Sequence, residues 1–418
     1  MNCNSLGDLL TKGYIKIFTG PFGSALHKHE YIDEGVRVIP AEAIFSDGLN
    51  PTTFNHITLE KAQDLKRYRL QKGDIVFARR GAQACGRSAL VGDKEEGSIA
   101  GTGLIYLRVL KKDLVVPEYL HLAVSSAKSL AWLKTHAIGA TMPNLNNSVL
   151  CSLPLNLPSY EKQVEVVNGY YPIIKKIRVN TKLNQTLEEI TQAIFKSWFV
   201  DFDPVKAKMN GEQLEGMDEA TASLFPEKLV ESEFGVIPEG WEVKAFSDWV
   251  KITKGKNITK KTIVEGDVPV VAGGLKPAYF HNTHNVEGPA ITISASGANA
   301  GFINLYYESI WASDSSYISK AATPLFFLQY VALKFNQKKI YDMQTGAAQP
   351  HIYPRDFERL MVVVPSDELC QKLEEIFTSF FVTVSNYKQQ NIELSKLRDT
   401  LLPKLLSGEI ELETLGIL

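Results

Sequence analysis

The chain has 418 residues, 44% of them hydrophobic and 22% charged, and a formal net charge of −2. These are proportions of an ordinary globular protein of two or three domains, and they exclude a disordered, collagenous or strongly charged polypeptide. There is no apolar run long enough to span a membrane and no signal-peptide pattern at the start, and Cys3, Cys85, Cys151 and Cys370 are never in CxxC spacing, so neither a zinc ribbon nor a disulfide framework is expected and a reducing cytoplasm is.

The small net charge hides an alternation. Residues 1–158 hold 18 Lys+Arg against 14 Asp+Glu, and residues 159–234 hold 9 against 13. Residues 235–365 hold 13 against 11, and residues 366–418 hold 5 against 9. A basic segment followed by an acidic one, twice, points to an internal repeat. The letters agree. GATMPNL (Gly139–Leu145) matches GAAQPHI (Gly346–Ile352), and LNLPS (Leu155–Ser159) matches VVVPS (Val362–Ser366), both at an offset of 207.

In chain order, residues 1–158 read as mixed α/β. GDIVFAR (Gly73–Arg79) and LIYLRVL (Leu104–Leu110) are strand-like and broken by Gly-rich turns. The helical piece Glu118–Lys134 then precedes the first GA-x-x-P element. From Ser159 the pattern becomes helical, with Ser159 as N-cap and Glu161 near the positive helix end. Ile177, Asn180, Asn184, Leu187, Thr191 and Ile194 step by three and four, the spacing of a coiled-coil seam.

Residues 235–365 repeat the mixed pattern, with AITISAS (Ala290–Ser296) as a strand and Leu325–Asp342 as the helical piece. Ser366 opens a second long helix with Asp367 and Glu368 in its first turn. Val384, Tyr387, Asn391, Leu394, Arg398 and Leu401 continue the seam at the same offset of 207. The matched phase favours the two helices packing on each other, with Asn184 and Asn391 at equivalent polar seam positions that can fix register. The short connector between the first helix and the second globular segment makes that pairing antiparallel. The expected fold is therefore α/β (α+β): two globular domains separated by two long antiparallel coiled-coil helices, with internal duplication and pseudo-two-fold symmetry. The expected boundaries are 1–158, a helix over 159–203, a linker over 204–240, a second domain over 241–365, and a helix and tail over 366–418.

Four stretches carry a family resemblance. They are KSWFVDFDPVKAK (Lys196–Lys208), ESEFGVIPEGWEV (Glu231–Val243), TGPFGSAL (Thr19–Leu26) and LRDTLLPKLLSGEI (Leu397–Ile410). Together they resemble the specificity subunit of type I restriction-modification systems. The resemblance implies a non-catalytic, DNA-reading chain. Each target-recognition domain would read half of a split double-stranded DNA site. It implies two modification subunits that methylate adenine with S-adenosylmethionine, and translocating restriction subunits, with ATP and Mg in partner chains and no cofactor in this one.

The residues read on their own are consistent with that. There is no G-x-x-x-x-G-K-[ST] phosphate loop. The nearest approach to an Asp/Asn-Pro-Pro-aromatic methyltransferase motif is DFDPV, where Val205 replaces the second proline. His27 and His29 lack further obvious metal ligands, and Glu242 with Lys244 is a common chance triplet rather than a nuclease motif. Asp201 and Asp203 read as the terminator of the first helix, with Asp203-Pro204 turning the chain. For DNA, the Gly-broken loop of the first domain offers Arg79, Arg80, Gln83 and Arg87. Arginine can take guanine bidentately and glutamine can take adenine. The second domain offers Lys251, Lys254, Lys256, Lys260 and Lys261 for phosphates, with Asn257 beside them and Asn299 in the small-residue stretch Ser294–Gly301. A protein-assembly scaffold without DNA reading, and an enzyme with a dispersed active site, are the competing readings.

Overall fold

The duplication is visible in the strand order. The computed structural model describes residues 4–45, 48–81, 84–139, 143–212, 214–346 and 349–410. It divides into two units, residues 1–177 with 393–418 and residues 178–392. In the first unit a four-stranded antiparallel sheet runs in the order Ile15–Thr19, Leu104–Val109, Ile75–Ala78, Ser88–Leu90. A three-stranded sheet places Val36–Ile39 antiparallel to Asn55–Ile57 and parallel to Ile99–Ala100. In the second unit the four-stranded order is Thr253–Lys254, Ser315–Ser319, Ala290–Ser294, Ile303–Tyr306. There Val268–Val271 lies antiparallel to Tyr279–His281 and parallel to Trp311–Ala312. Each strand of these two sheets in one unit thus has a counterpart in the other.

The central strand of the first sheet shows why the sequence folds this way. All four residues of Ile75–Ala78 are buried. Ile75 and Phe77 face a core that includes the helix Pro117–Ser125, while Val76 and Ala78 face the core under the three-stranded sheet. Alternate side chains of one strand therefore close two cores.

Two long helices complete the fold, Tyr160–Phe199 (40 residues) and Asp367–Ser407 (41 residues), each about 60 Å long. Ser159 Oγ accepts the Lys162 amide at 3.3 Å and Ser366 Oγ accepts the Leu369 amide at 3.4 Å, so both serines act as N-caps. The helices pack together antiparallel. In the first unit Val166 and Tyr170 of the central helix share a core with Leu405 of the distal one. In the second unit Phe195 and Phe199 share a core with Phe377 and Phe381.

Burial varies along the seam positions. Asn180, Asn184, Thr191 and Val384 are buried, and Ile177, Leu187, Ile194, Asn391, Leu394 and Leu401 are half-buried. Two of the seam's polar members, Asn180 and Asn391, bond to each other and to flanking residues. Asn180 Nδ2 donates to Gln390 Oε1 (2.7 Å) and Asn391 Oδ1 (3.0 Å), and Asn391 Nδ2 donates to Thr181 Oγ1 (3.2 Å). These bonds form in one alignment only, which is how a polar seam fixes register.

Each long helix also caps a short one. Gln163 Oε1 accepts the Val116 amide at 2.9 Å, at the start of Pro117–Ser125. Glu374 accepts the Phe327 and Leu328 amides at 3.1 and 2.8 Å, at the start of Phe326–Phe335. Burial pushes the Glu374 carboxyl up, opposed by those two amides.

One expectation is corrected. Asp203-Pro204 does not simply end a helix; it starts the next, Asp203–Met209. The turn is made one residue earlier by Phe202, in the left-handed region at φ 55. Asp203 accepts a hydrogen bond from Ser197 Oγ at 2.7 Å, and Asp201 pairs with Lys196. Proline is well suited to the first turn of a helix, and an acidic residue there meets the positive dipole end. Trp198, Phe199 and Phe202 are buried against Phe225 and Trp241.

The distal helix from residue 393 onward is a structural part of the first unit. Leu405→Ala should therefore destabilise that unit by about 2–5 kcal/mol. Leu397→Ala, exposed on the same helix, should change stability by less than about 0.5 kcal/mol. Urea titration of the two variants measures the difference.

Candidate nucleic-acid interface

Three loops in each unit are rooted side by side. In the first unit, Gly20 N–H donates to Leu104 O (2.9 Å), Arg79 N–H to Gly103 O (2.8 Å), and Leu145 N–H to Arg79 O (2.9 Å). In the second, Gly255 N–H donates to Ser315 O (2.8 Å), Ala295 N–H to Asp314 O (3.2 Å), and Ile352 N–H to Ala295 O (3.0 Å). The same three bonds recur on equivalent residues. They hold the loop after the first sheet strand, the loop after the central strand, and the GA-x-x-P hairpin. The hairpins close with bridges Ile138↔Asn144 and Thr345↔His351, again 207 residues apart.

The roots leave no space for side chains. A Cβ on Gly20 would sit 2.1 Å from Gly101 O, and one on Gly255 would sit 2.6 Å from both Ser313 O and Ser315 O. Thus TGPFGSAL in the first unit and KGKNITKK in the second occupy the same place, although little but the glycine is common to them. Rigid roots carrying unlike tips are the arrangement in which loops confer specificity.

The predicted contact residues fall on these loops, with differing availability. Arg80, Lys254, Lys256, Asn257, Lys260 and Lys261 are exposed, and Lys251 is exposed beside them. Arg87 and Asn299 are half-buried. Gln83 lies outside the described residues. Arg79 is turned inward: its Nε donates to Asn144 Oδ1 (3.1 Å) and Leu145 O (3.2 Å), bracing the hairpin.

Sequence reasoning missed an aromatic–cation cluster in the second unit. Tyr353 lies under Lys254 (5.7 Å from the ring centroid) and Arg355 (5.8 Å), and stacks on His351 at 5.9 Å. The signal was the hairpin itself, because His351 closes it and Tyr353 follows directly. Asp314, at the root, accepts a hydrogen bond from Ser296 Oγ.

The other candidate clusters are structural. Glu30 accepts the His27 amide at 2.6 Å and pairs with Lys61 at 2.6 Å, which holds the HKHE turn. Glu242 and Lys244 pair with each other at 2.8 Å along one strand. Among the described residues no group of three or more His, Cys, Asp or Glu could hold a metal, and no helix is long and apolar enough to cross a membrane.

Comparison with known proteins decides the family. The profile described as "Type I restriction modification DNA specificity domain" matches twice, over residues 24–189 and 238–396. The chain belongs to this family. Its function is that of a DNA sequence-specificity subunit of a type I restriction-modification system. It is 28% identical over 427 residues to the type I restriction enzyme HindI specificity subunit of Haemophilus influenzae, covering 85% of this chain and 91% of that one. It is 26% identical over 339 residues to the MjaIX specificity subunit of Methanocaldococcus jannaschii, covering 74% and 73%. The fold is shared with the crystal structure of a type I restriction-modification S subunit from M. genitalium: TM-score 0.61, 18% identity, 96% of this chain and 94% of that one. The two profile matches fall one on each repeat, so the duplication and the specificity role are properties of the same segments.

If the roots position the reading loops, Gly20→Ala and Gly255→Ala should each cost about 1–3 kcal/mol through backbone displacement. Gly23 has no positive φ, and a Cβ added there would meet nothing within 4 Å, so it should tolerate alanine. Thermal unfolding of the three variants checks this.

Proposed function

We propose that each unit of this specificity subunit reads one half of a split duplex target with its three co-rooted loops. The observation that carries the reading is the recurrence of one loop constellation on two units with different side chains at the tips. Equal scaffolds with unequal tips suit an asymmetric bipartite site. Arg80 and Arg87 are placed to read base edges in the first half. Lys254, Lys256, Lys260 and Lys261 suit phosphates in the second, with Asn257 and Asn299 as base readers. The chain supplies recognition and no catalysis. Adenine methylation would come from modification subunits using S-adenosylmethionine, and ATP with Mg would serve the restriction subunits.

The paired helices offer the docking surface for modification subunits. Val179, Leu183 and Ile190 are exposed on the central helix, four and seven residues apart and so on one face. That face lies off the seam. Apolar residues so arranged fit a partner helix, and the acidic balance of these segments keeps them from competing for DNA.

Two outcomes follow. Lys254→Glu with Lys256→Glu should weaken DNA binding by about ten-fold or more at low salt and flatten its salt dependence, while assembly with the modification subunit is retained. Val179→Asp with Leu183→Asp should do the reverse, abolishing assembly with little change in folding. Filter binding across a salt series and size-exclusion chromatography of the co-expressed subunits measure both. Mapping methylated adenines in cells expressing the chain with its modification subunit tests the function directly. A split two-part sequence is expected, and methylation independent of this chain would contradict it.

A further inference from the structure

We propose that Phe22 reads DNA by inserting its ring at a base step in the half-site of the first unit and stacking on the base face it exposes. The proposal rests on the DNA-reading function above and adds to it a preference for a base step that unstacks easily. Phe22 is 68% exposed, an apolar ring left mostly to solvent. It stands on a short loop held at both sides. Gly20 is pinned to the Gly101–Leu104 connection, and Leu26 is buried in the core under the three-stranded sheet. Between them Pro21 restricts the backbone, and the Ala25 amide donates to Phe22 O at 2.8 Å to close a tight turn. The ring is therefore presented by a turn closed by a backbone hydrogen bond.

What covers the ring follows from its neighbours. The root of its loop and the root of the Arg79–Arg87 loop are bonded to consecutive residues, Leu104 and Gly103. Exposed Arg80 and half-buried Arg87 are on that second loop, and exposed Lys28 follows on the first. Cations on neighbouring loops suit phosphates, and an exposed apolar ring beside them suits insertion between the base steps of a duplex. In the second unit the same position is Asn257, flanked by Lys256 and Ile258. That residue can hydrogen-bond a base edge and cannot stack comparably. At this loop position the two units thus differ in means, a stacking ring in the first and an edge-bonding amide in the second.

The test uses the full chain assembled with its modification subunit and a duplex carrying the mapped methylation target. Phe22→Ala should weaken target binding roughly ten-fold. Phe22→Trp should restore it, and Phe22→Leu should not. The salt dependence should keep its slope, because no phosphate contact is lost. Base substitutions should lose discrimination in one half-site only. Unfolding of Phe22→Ala should match the parent, since the ring buries little in the free protein. Parental affinity for Phe22→Ala, with the parent itself binding the target, would overturn the stacking role and leave DNA reading standing. Loss of assembly by Phe22→Ala would also overturn it, by showing that the ring meets a protein subunit. Failure of the parent to bind the target would instead defeat the DNA-reading function beneath it.

Discussion

The antiparallel pairing of the two long helices is the constraint on which the rest of this structure depends. In a duplicated chain each domain is followed by its own helix, and antiparallel pairing brings the end of one helix against the start of the other. Each core is then closed by segments far apart in sequence. Leu405, 13 residues from the end of the chain, is buried with Leu6, Leu9 and Tyr170 of the first unit. Phe195 and Phe199 of the central helix are buried with Phe327, Phe377 and Phe381 of the second. Fully burying one such side chain contributes about 1.5–3 kcal/mol, so these contacts set the helix register firmly. The asparagine bonds at Asn180 and Asn391 add alignment rather than burial.

The proposed reading surface obeys a different rule, rigidity at the base with sequence freedom at the tip. Gly20 and Gly255 admit no side chain, because backbone carbonyls occupy the space where a Cβ would be. The hairpins close at the same repeat distance in both units. Beyond these points the sequences diverge, Pro21-Phe22-Gly23 against Lys256-Asn257-Ile258 and Arg80 against Ser296. Exposed tip residues such as Phe22 and Asn257 lie outside the hydrophobic cores, so on the proposed reading one scaffold can carry different specificities. This separates the stability of the subunit from the identity of its target.

Much of this was legible in the sequence because duplication makes weak signals reinforce each other. The offset of 207 aligned hairpins, N-caps and seam together, and periodicity gave the helix phase. What stayed hidden depended on partners distant in sequence. Arg79 looked like a DNA contact because Asn144, 65 residues away, is invisible to a local reading. The equivalence of TGPFGSAL and KGKNITKK is carried by backbone hydrogen bonds and one glycine, not by letters. Tyr353 and Arg355 gain meaning only when Lys254, from another strand, is brought over the ring. Asp203 read as a stop because Pro204 disfavours helix before it, yet the same proline favours the helix that it opens.

The most direct test of the account is a graft of one loop onto the equivalent root. Replacing Lys256-Asn257-Ile258 by Pro-Phe-Gly, between unchanged Gly255 and Thr259, should give a folded subunit that still directs methylation. Methylated adenines mapped genome-wide should show one half of the target altered, with the other half and the spacing between them preserved. A graft that folds and methylates the unchanged target, or one whose target changes in both halves, would contradict it.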